Sequence, residues 1–158
     1  MRKNYWQIFG VSMLVFGCEN ESFGWQRVTN GLPSNPTITR VVSSGELSAL
    51  NVSSPSPTGV YLSTNSGASW FKSATLPGSG QTAGDLLVVG NVVYVLRTSQ
   101  STGTNAILYS TNNGTSWVGG TNFPNSTPLT ILATDGVSLF AGANTTGNIW
   151  RSTNAGIS

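Results

Sequence analysis

The feature that most constrains this 158-residue chain is a polar octamer that occurs more than once. "STNSGASW" at 63–70 recurs as "STNNGTSW" at 110–117, and "STNAGIS" at 152–158 follows the same pattern up to the position of the Trp. The copies begin about 40–50 residues apart, which is the length of one supersecondary unit in a repeat protein. The sequence therefore predicts a fold built from several similar units.

Each copy of the octamer follows apolar segments that are typical of β-strands. A short apolar stretch precedes it directly, and further upstream lie two β-rich runs around a Gly-containing turn, which is the pattern of a hairpin. One unit thus contains four strands. In the best-preserved unit we predict these strands at 86–90, 92–98, 106–110 and 116–118.

A four-stranded unit repeated at this spacing predicts an all-β fold of antiparallel β-propeller blades. Composition agrees, because only 8% of the residues are charged and 19 are Gly, whereas helical proteins usually carry more charge on their exposed faces. Parallel β-helices and leucine-rich repeats have shorter periods. We expect residues 25–158 to form a partial propeller, with about three blades at 25–70, 71–117 and 118–158.

The octamer resembles the Asp-box, or BNR repeat, whose pattern is Ser-x-Asp-x-Gly-x-Thr-Trp. That repeat occurs in sialidases, sortilin-type receptor domains, xyloglucan-cleaving endoglucanases and the photosystem II assembly factor group. In this chain Asn stands at the Asp position of every copy, and Ser stands at the Thr position. The matching residues are Ser63, Asn65, Gly67, Ser69, Trp70, Ser110, Asn112, Gly114, Ser116, Trp117, Ser152, Asn154, Gly156 and Ser158.

The residue types of the octamer suit a turn between the third and fourth strands. An Asn side chain can accept hydrogen bonds from backbone N–H groups two or three residues further on. Gly adopts the positive φ that such a turn requires, and the Trp is expected to be buried in the blade. The resemblance implies that the octamers lie on the rim, away from the ligand-binding face. A calcium site is the alternative, but neutral amides are poor ligands for a cation that prefers carboxylates.

The N-terminus has the pattern of an export signal. Arg2 and Lys3 precede a short apolar run at 8–17, which is too short to span a bilayer. Cys18 follows at once, and "LVFGC" resembles the lipobox of bacterial lipoproteins, in which the Cys is lipidated. We therefore predict a signal peptide at 1–17, a lipid anchor at Cys18, a linker at 18–24 and location in a bacterial cell envelope. The alternatives are a secreted protein with an ordinary signal, or a buried thiol.

The charge of the mature chain argues against nucleic acid as a partner. Removal of Arg2 and Lys3 with the signal leaves five basic residues against five acidic ones. Binding to a phosphate backbone requires clustered positive charge, which this composition does not supply. The expected partner is a protein or a glycan, with membrane contact only through Cys18.

The sequence contains no recognisable catalytic constellation, cofactor motif or metal-binding motif. It has no His, which excludes His-based triads. Glycoside hydrolysis requires two carboxylates on either side of one bond; Asp85 and Asp135 are the candidates, and Asp135 fits better as a turn residue. Arg40 can be compared with a sialidase arginine, but its neighbours "TITRVV" lack the family context.

Two functions remain open from the sequence. The first is a non-catalytic binding or assembly module for a protein or glycan, and the second is the N-terminal portion of a secreted glycosidase of the sialidase or xyloglucan-cleaving kind. The ligand-binding face should be formed by loops of amides, hydroxyls and Pro. These loops are 53–58, 71–84, 99–105, 118–128 and 144–147.

The number of predicted blades is smaller than in closed propellers, which have four to eight. We expect the chain to be part of a longer protein with the next motif Trp at position 159. The alternative is that the chain closes a ring by oligomerising.

Overall fold

The computed structural model describes residues 24–78, 81–99, 105–119, 129–143 and 147–156. The predicted signal at 1–17, the anchor Cys18, the linker up to residue 23 and Ser158 of the third octamer lie outside the described residues. The described part is all β-structure, with eleven strands in three antiparallel sheets. The predicted fold class is confirmed. Within the described ranges, no helix is long and apolar enough to cross a membrane.

The first sheet contains four strands in the order β1-β2-β3-β4. Neighbouring strands pair antiparallel, and each is joined to the next along the chain, as in a meander. The strands are β1 (Thr37–Ser44), β2 (Leu47–Ser54), β3 (Gly59–Ser63) and β4 (Phe71–Lys72).

The second sheet repeats this arrangement, and the third repeats it in part. The second sheet has the order β5-β6-β7-β8, with β5 (Gln81–Val89), β6 (Val92–Ser99), β7 (Asn105–Ser110) and β8 (Val118–Gly119). The third has the order β11-β10-β9, with β9 (Ile131–Thr134), β10 (Leu139–Gly142) and β11 (Ile149–Ser152). It has three strands among the described residues instead of the predicted four.

The sheets pack face to face and bury apolar side chains between them. Alternate residues of a strand point to opposite faces, so β6 contributes Val93 and Val95 to the interface with the first sheet, and Tyr94 and Leu96 to the interface with the third. The β2 and β3 residues of the first interface are Leu47, Ala49, Val60 and Leu62. The β9 and β10 residues of the second are Leu132, Leu139 and Ala141.

The first strands of the three sheets lie next to one another, because β1 contacts β5 and β5 contacts β9. This is the arrangement of propeller blades, in which the first strand of each blade is the innermost. The fourth strands are short and begin directly after the octamer Trp. Phe71–Lys72 therefore belongs to the first sheet and Val118–Gly119 to the second, so each sheet extends two residues beyond the ends that we predicted at Trp70 and Trp117.

Candidate functional site

The first two octamers join the third and fourth strands, and a buried Ser begins each of these two turns. Ser63 is fully buried at the end of β3. Its Oγ accepts a hydrogen bond from Gly67 N (2.9 Å) and donates one to Asn65 Oδ1 (2.8 Å). The corresponding distances around Ser110 are 2.9 Å for both bonds, and Ser152 makes the same two contacts in the third octamer.

The Asn of the motif closes the turn through hydrogen bonds of both its side-chain oxygen and its side-chain nitrogen. Asn65 Oδ1 accepts a hydrogen bond from Ser69 N (3.0 Å), and Asn65 Nδ2 donates one to Ser69 Oγ (2.8 Å). Asn112 makes the same pair of bonds with Ser116. The accepted N–H is four residues further on, so our prediction of two or three residues was wrong. The donated bond is one that a carboxylate in this position could not make.

Two consecutive residues of each turn have positive φ. Gly67, Gly114 and Gly156 do so with φ of 86°, 71° and 81°, as predicted. The residue before each Gly is also left-handed: Ser66, Asn113 and Ala155 have φ of 55°, 53° and 57°. Sequence reasoning missed this second position, because non-Gly residues rarely adopt that conformation and only Asn113 is of a type that favours it.

The octamer of the second sheet also fastens this sheet to the first. Ala74, in the connection that follows β4, donates its N–H to Gly114 O (2.8 Å) and accepts from Trp117 Nε1 at 3.0 Å. Trp70 and Trp117 are both buried, at 8% and 9% exposed, but Trp70 Nε1 has no hydrogen-bond partner among the described residues. The octamers thus act in the packing of the sheets.

An open groove of about 580 Å³ lies between the first and second sheets. Its walls come from the start of β1, the end of β2, the start of β3 and the start of β5. In antiparallel sheets these points lie at one end, and the octamers follow the ends of β3 and β7, at the opposite end. Residues 72–76 form a further wall, which reaches the second octamer through Ala74. The groove is therefore on the face where we predicted ligand-binding loops.

The groove lining mixes hydroxyl and amide groups with apolar side chains, and it contains one charged side chain among the described residues. Asn51, which is buried, donates from Nδ2 to Thr39 Oγ1 (2.8 Å) and to Ala83 O of the second sheet (3.1 Å). Its Oδ1 accepts no hydrogen bond from the described part of the chain. Lys72 supplies the charge. Other polar residues of the lining are Ser53, Thr58, Ser73, Thr75 and Thr82.

Two of the five predicted loops contribute to this groove. Residues 53–58 supply Ser53 and Thr58, and residues 71–84 supply most of one wall. The loops 99–105, 118–128 and 144–147 fall largely outside the described residues.

The candidate catalytic carboxylates are both engaged with other parts of the protein. Asp135 is a turn residue between β9 and β10, and its Oδ1 accepts from Ser138 N and from Val137 N (2.6 and 2.8 Å). These bonds lower its pKa. Asp85 is buried and forms an ion pair with Arg40. Arg97 donates to the carbonyl of Pro77 at 2.9 Å.

These contacts give Asp85, Asp135 and the two arginines structural partners and bring no pair of free carboxylates together. Within the described ranges no group of three or more His, Cys, Asp or Glu residues is arranged to hold a metal ion.

Comparisons with known proteins support the fold. The sequence matches no protein-family model and no curated protein. Among solved structures, the chain is similar to "YCF48 bound to D1 peptide", with 18% identity, a TM-score of 0.61 and coverage of 81% of this chain and 40% of the other. It is also similar to YCF48 from Cyanidioschyzon merolae, with 14% identity, a TM-score of 0.52 and coverage of 75% and 40%. At this level of identity the similarity shows a shared β-propeller fold, and the chain spans 40% of the length of these two proteins.

Proposed function

We propose that this protein is a non-catalytic β-propeller module, anchored in a bacterial cell envelope through Cys18, that binds an extended protein segment. The binding site is the groove between the first and second sheets. The observation that carries the proposal is the groove itself, which is open, presents hydroxyl and amide groups beside its apolar side chains, and is lined mainly by residues at the end of the sheets away from the first octamer.

The groove suits a polypeptide better than a compact apolar ligand. Its hydroxyl and amide groups can exchange hydrogen bonds with a peptide backbone, and Asn51 Oδ1 offers an acceptor whose amide is held in place by two bonds. Small-molecule sites are usually lined by apolar and aromatic side chains, and none of the described residues that line the groove is aromatic.

One structural neighbour points in the same direction. One similar propeller is described as bound to a D1 peptide, so a propeller of this shape can bind a peptide. A binding or assembly role in the present protein is consistent with that neighbour and with the resemblance of the octamer to the repeat of the photosystem II assembly factor group.

The glycosidase alternative has less support. Asp85 is held by Arg40 and two backbone N–H groups, and Asp135 closes a turn, so neither carboxylate is positioned to attack or protonate a glycosidic bond. Binding of a glycan without hydrolysis is a separate outcome of the binding test described below.

The test is selection from a random-peptide display library, followed by titration of the enriched peptides. We expect Thr58→Arg, which places a long side chain in the groove, to weaken peptide binding at least tenfold. Thr64→Arg is the matched control, since Thr64 is also an exposed Thr but lies at the octamer end. Failure to enrich any peptide, or equal binding by both variants, would contradict the proposal, and binding on a glycan array instead would identify a glycan module.

The anchor is tested separately. Labelled palmitate should enter the wild-type chain in a bacterial host and should not enter Cys18→Ser. Equal labelling of the two proteins would show that Cys18 is not the lipidation site.

A further inference from the structure

The dipeptide Asn-Gly occurs twice in this chain, at Asn30–Gly31 and at Asn113–Gly114. In such a dipeptide the backbone nitrogen of the Gly can attack the side-chain amide carbon of the Asn. Gly has no Cβ to shield that nitrogen, so the attack meets little steric hindrance. The two copies share this reactivity, and a difference between them must come from the fold.

The fold holds the second copy closed. Gly114 is buried, and its N–H donates to Ser110 Oγ at 2.9 Å. Its carbonyl accepts from Ala74 N at 2.8 Å, so the residue is fixed on both sides. The attacking nitrogen must lose its proton and approach the side-chain carbon of Asn113. Attack at this position therefore requires the buried bond to Ser110 to break.

The fold leaves the first copy open. Asn30 and Gly31 are both exposed, in a turn upstream of β1. The backbone hydrogen bonds of this turn run from Leu32 N to Thr29 O (3.0 Å) and from Trp70 N to Asn30 O (2.9 Å). Neither of them engages the backbone nitrogen of Gly31, which donates no hydrogen bond to the described residues. The nucleophile and the amide that it attacks are thus both accessible to water.

Gly31 is required at this position by its contact with the first octamer. Its φ is 85°, in the left-handed region that favours Gly, and a Cβ here would overlap the carbonyl oxygen of Trp70. The close approach of the turn to Trp70 therefore selects the residue type that makes the preceding Asn reactive.

We propose that Asn30 is a site of spontaneous deamidation in the folded protein and that Asn113 is protected from it. Gly31 N gives up its proton to solvent and forms a bond to Asn30 Cγ. The Cγ–Nδ2 bond breaks, and the side-chain nitrogen leaves as ammonia, which produces a succinimide ring. Water then opens the ring at either of its two carbonyls and yields aspartate or isoaspartate.

The isoaspartate product should loosen the contact between this turn and the first sheet. In isoaspartate the chain continues through the side-chain carbon of residue 30, and the former backbone carbonyl becomes a free carboxylate. That carbonyl accepts from Trp70 N, and Leu32 packs against the buried cluster that contains Trp70. The isoaspartate form, separated by ion exchange, should unfold at a lower temperature than the unmodified protein. Equal unfolding temperatures would contradict this consequence.

The main experiment compares the two positions within one folded chain. After incubation in mildly alkaline buffer, peptide mapping by mass spectrometry should find deamidation at residue 30 at least tenfold faster than at residue 113, where a buried hydrogen bond must first break. In concentrated urea the two positions should react at similar rates. Equal rates in the folded protein, or no reaction at residue 30, would overturn the proposal. A difference that persists in urea would assign it to the local sequence and would also overturn the proposal.

Two variants identify the position by a second readout, enzymatic labelling of isoaspartate. Asn30→Gln retains an amide and the backbone carbonyl but cannot form the succinimide, so labelling should fall to background. Asn113→Ser is the matched control, because Ser66 occupies the same place in the first octamer with the same left-handed conformation. This control should be labelled like the wild type. Undiminished labelling of Asn30→Gln, or loss of labelling in Asn113→Ser, would show that the reactive residue is not Asn30.

Discussion

Arg40 Nε lies 2.8 Å from Asp85 Oδ1, and this ion pair joins the first strands of the first and second sheets. The same carboxylate reaches the third sheet, because its Oδ2 accepts from Leu132 N at 2.8 Å. Arg40 and Asp85 each come directly after an irregularity in the register of strand pairing, and they occupy equivalent positions in β1 and β5. A single buried carboxylate thus connects all three described sheets.

Removal of the Asp85 carboxylate should destabilise the packing of all three described sheets. Asp85→Ala leaves the N–H groups of Leu86 and Leu132 without their acceptor, at a cost of about 1–3 kcal/mol for each buried group. Arg40→Ala should cost less, because 45% of the Arg40 side chain is exposed and solvent screens its charge. Urea unfolding of the two variants measures the difference. An Arg40→Ala loss equal to or above that of Asp85→Ala would contradict this assignment.

The two octamer tryptophans should respond differently to the loss of their indole N–H. Trp117→Phe removes a bond to Ala74 O, whose net value is about 0.5–1.5 kcal/mol. Trp70→Phe removes an N–H that has no partner in the described residues, so the variant should lose less stability. Trp117→Ala should cost about 3–5 kcal/mol, as for other buried large aromatics. Thermal unfolding of the three variants provides the comparison. Equal losses of stability in the two Phe variants would contradict the predicted difference between them.

The octamer glycines should also differ from one another. A Cβ on Gly114 would lie 2.5 Å from Leu62 Cδ1 and 2.7 Å from Ser73 Cβ, whereas a Cβ on Gly67 would lie 3.5 Å from its nearest neighbour, Trp70 Cζ2. Both positions have positive φ, so Gly→Ala strains the backbone at each. Gly114→Ala should be the more destabilising by about 1–3 kcal/mol, the usual cost of overpacking. Denaturant midpoints of the two variants test this, and an equal loss would show that backbone strain alone matters.

Asp135 should make stability depend on pH. Hydrogen bonds from the N–H groups of Ser138 and Val137 lower its pKa in the folded protein. A carboxyl with a lowered folded pKa stabilises the protein above the ordinary carboxyl pKa of about 4, and that contribution is lost as the pH falls through the folded value. Asp135→Asn should therefore be less stable than wild type at pH 7, and the difference should shrink at acidic pH. A difference that does not change with pH would rule out the charge as its cause.

The sequence by itself predicted the repeated unit and the order of its strands. The Ser-Thr-Asn-x-Gly pattern predicted a turn because Gly tolerates positive φ and Asn competes for backbone hydrogen bonds. In the second sheet, 92–98 was predicted and Val92–Ser99 is observed. The first and fourth strands were predicted less well, at 86–90 and 116–118, and are observed at Gln81–Val89 and Val118–Gly119. Local signals of this kind depend on neighbouring residues, so the linear sequence contains them.

Contacts between sheets could be decided only by the tertiary structure. Asp85 and Arg40 are far apart in sequence, and nothing in their local context indicated that the strand shifts would bring them together. The same is true of Ala74 and the second octamer, and of the groove, which forms where the connection after β4 meets the start of β5. Such features depend on how the sheets pack, because packing brings together residues whose individual patterns predict only strands and turns.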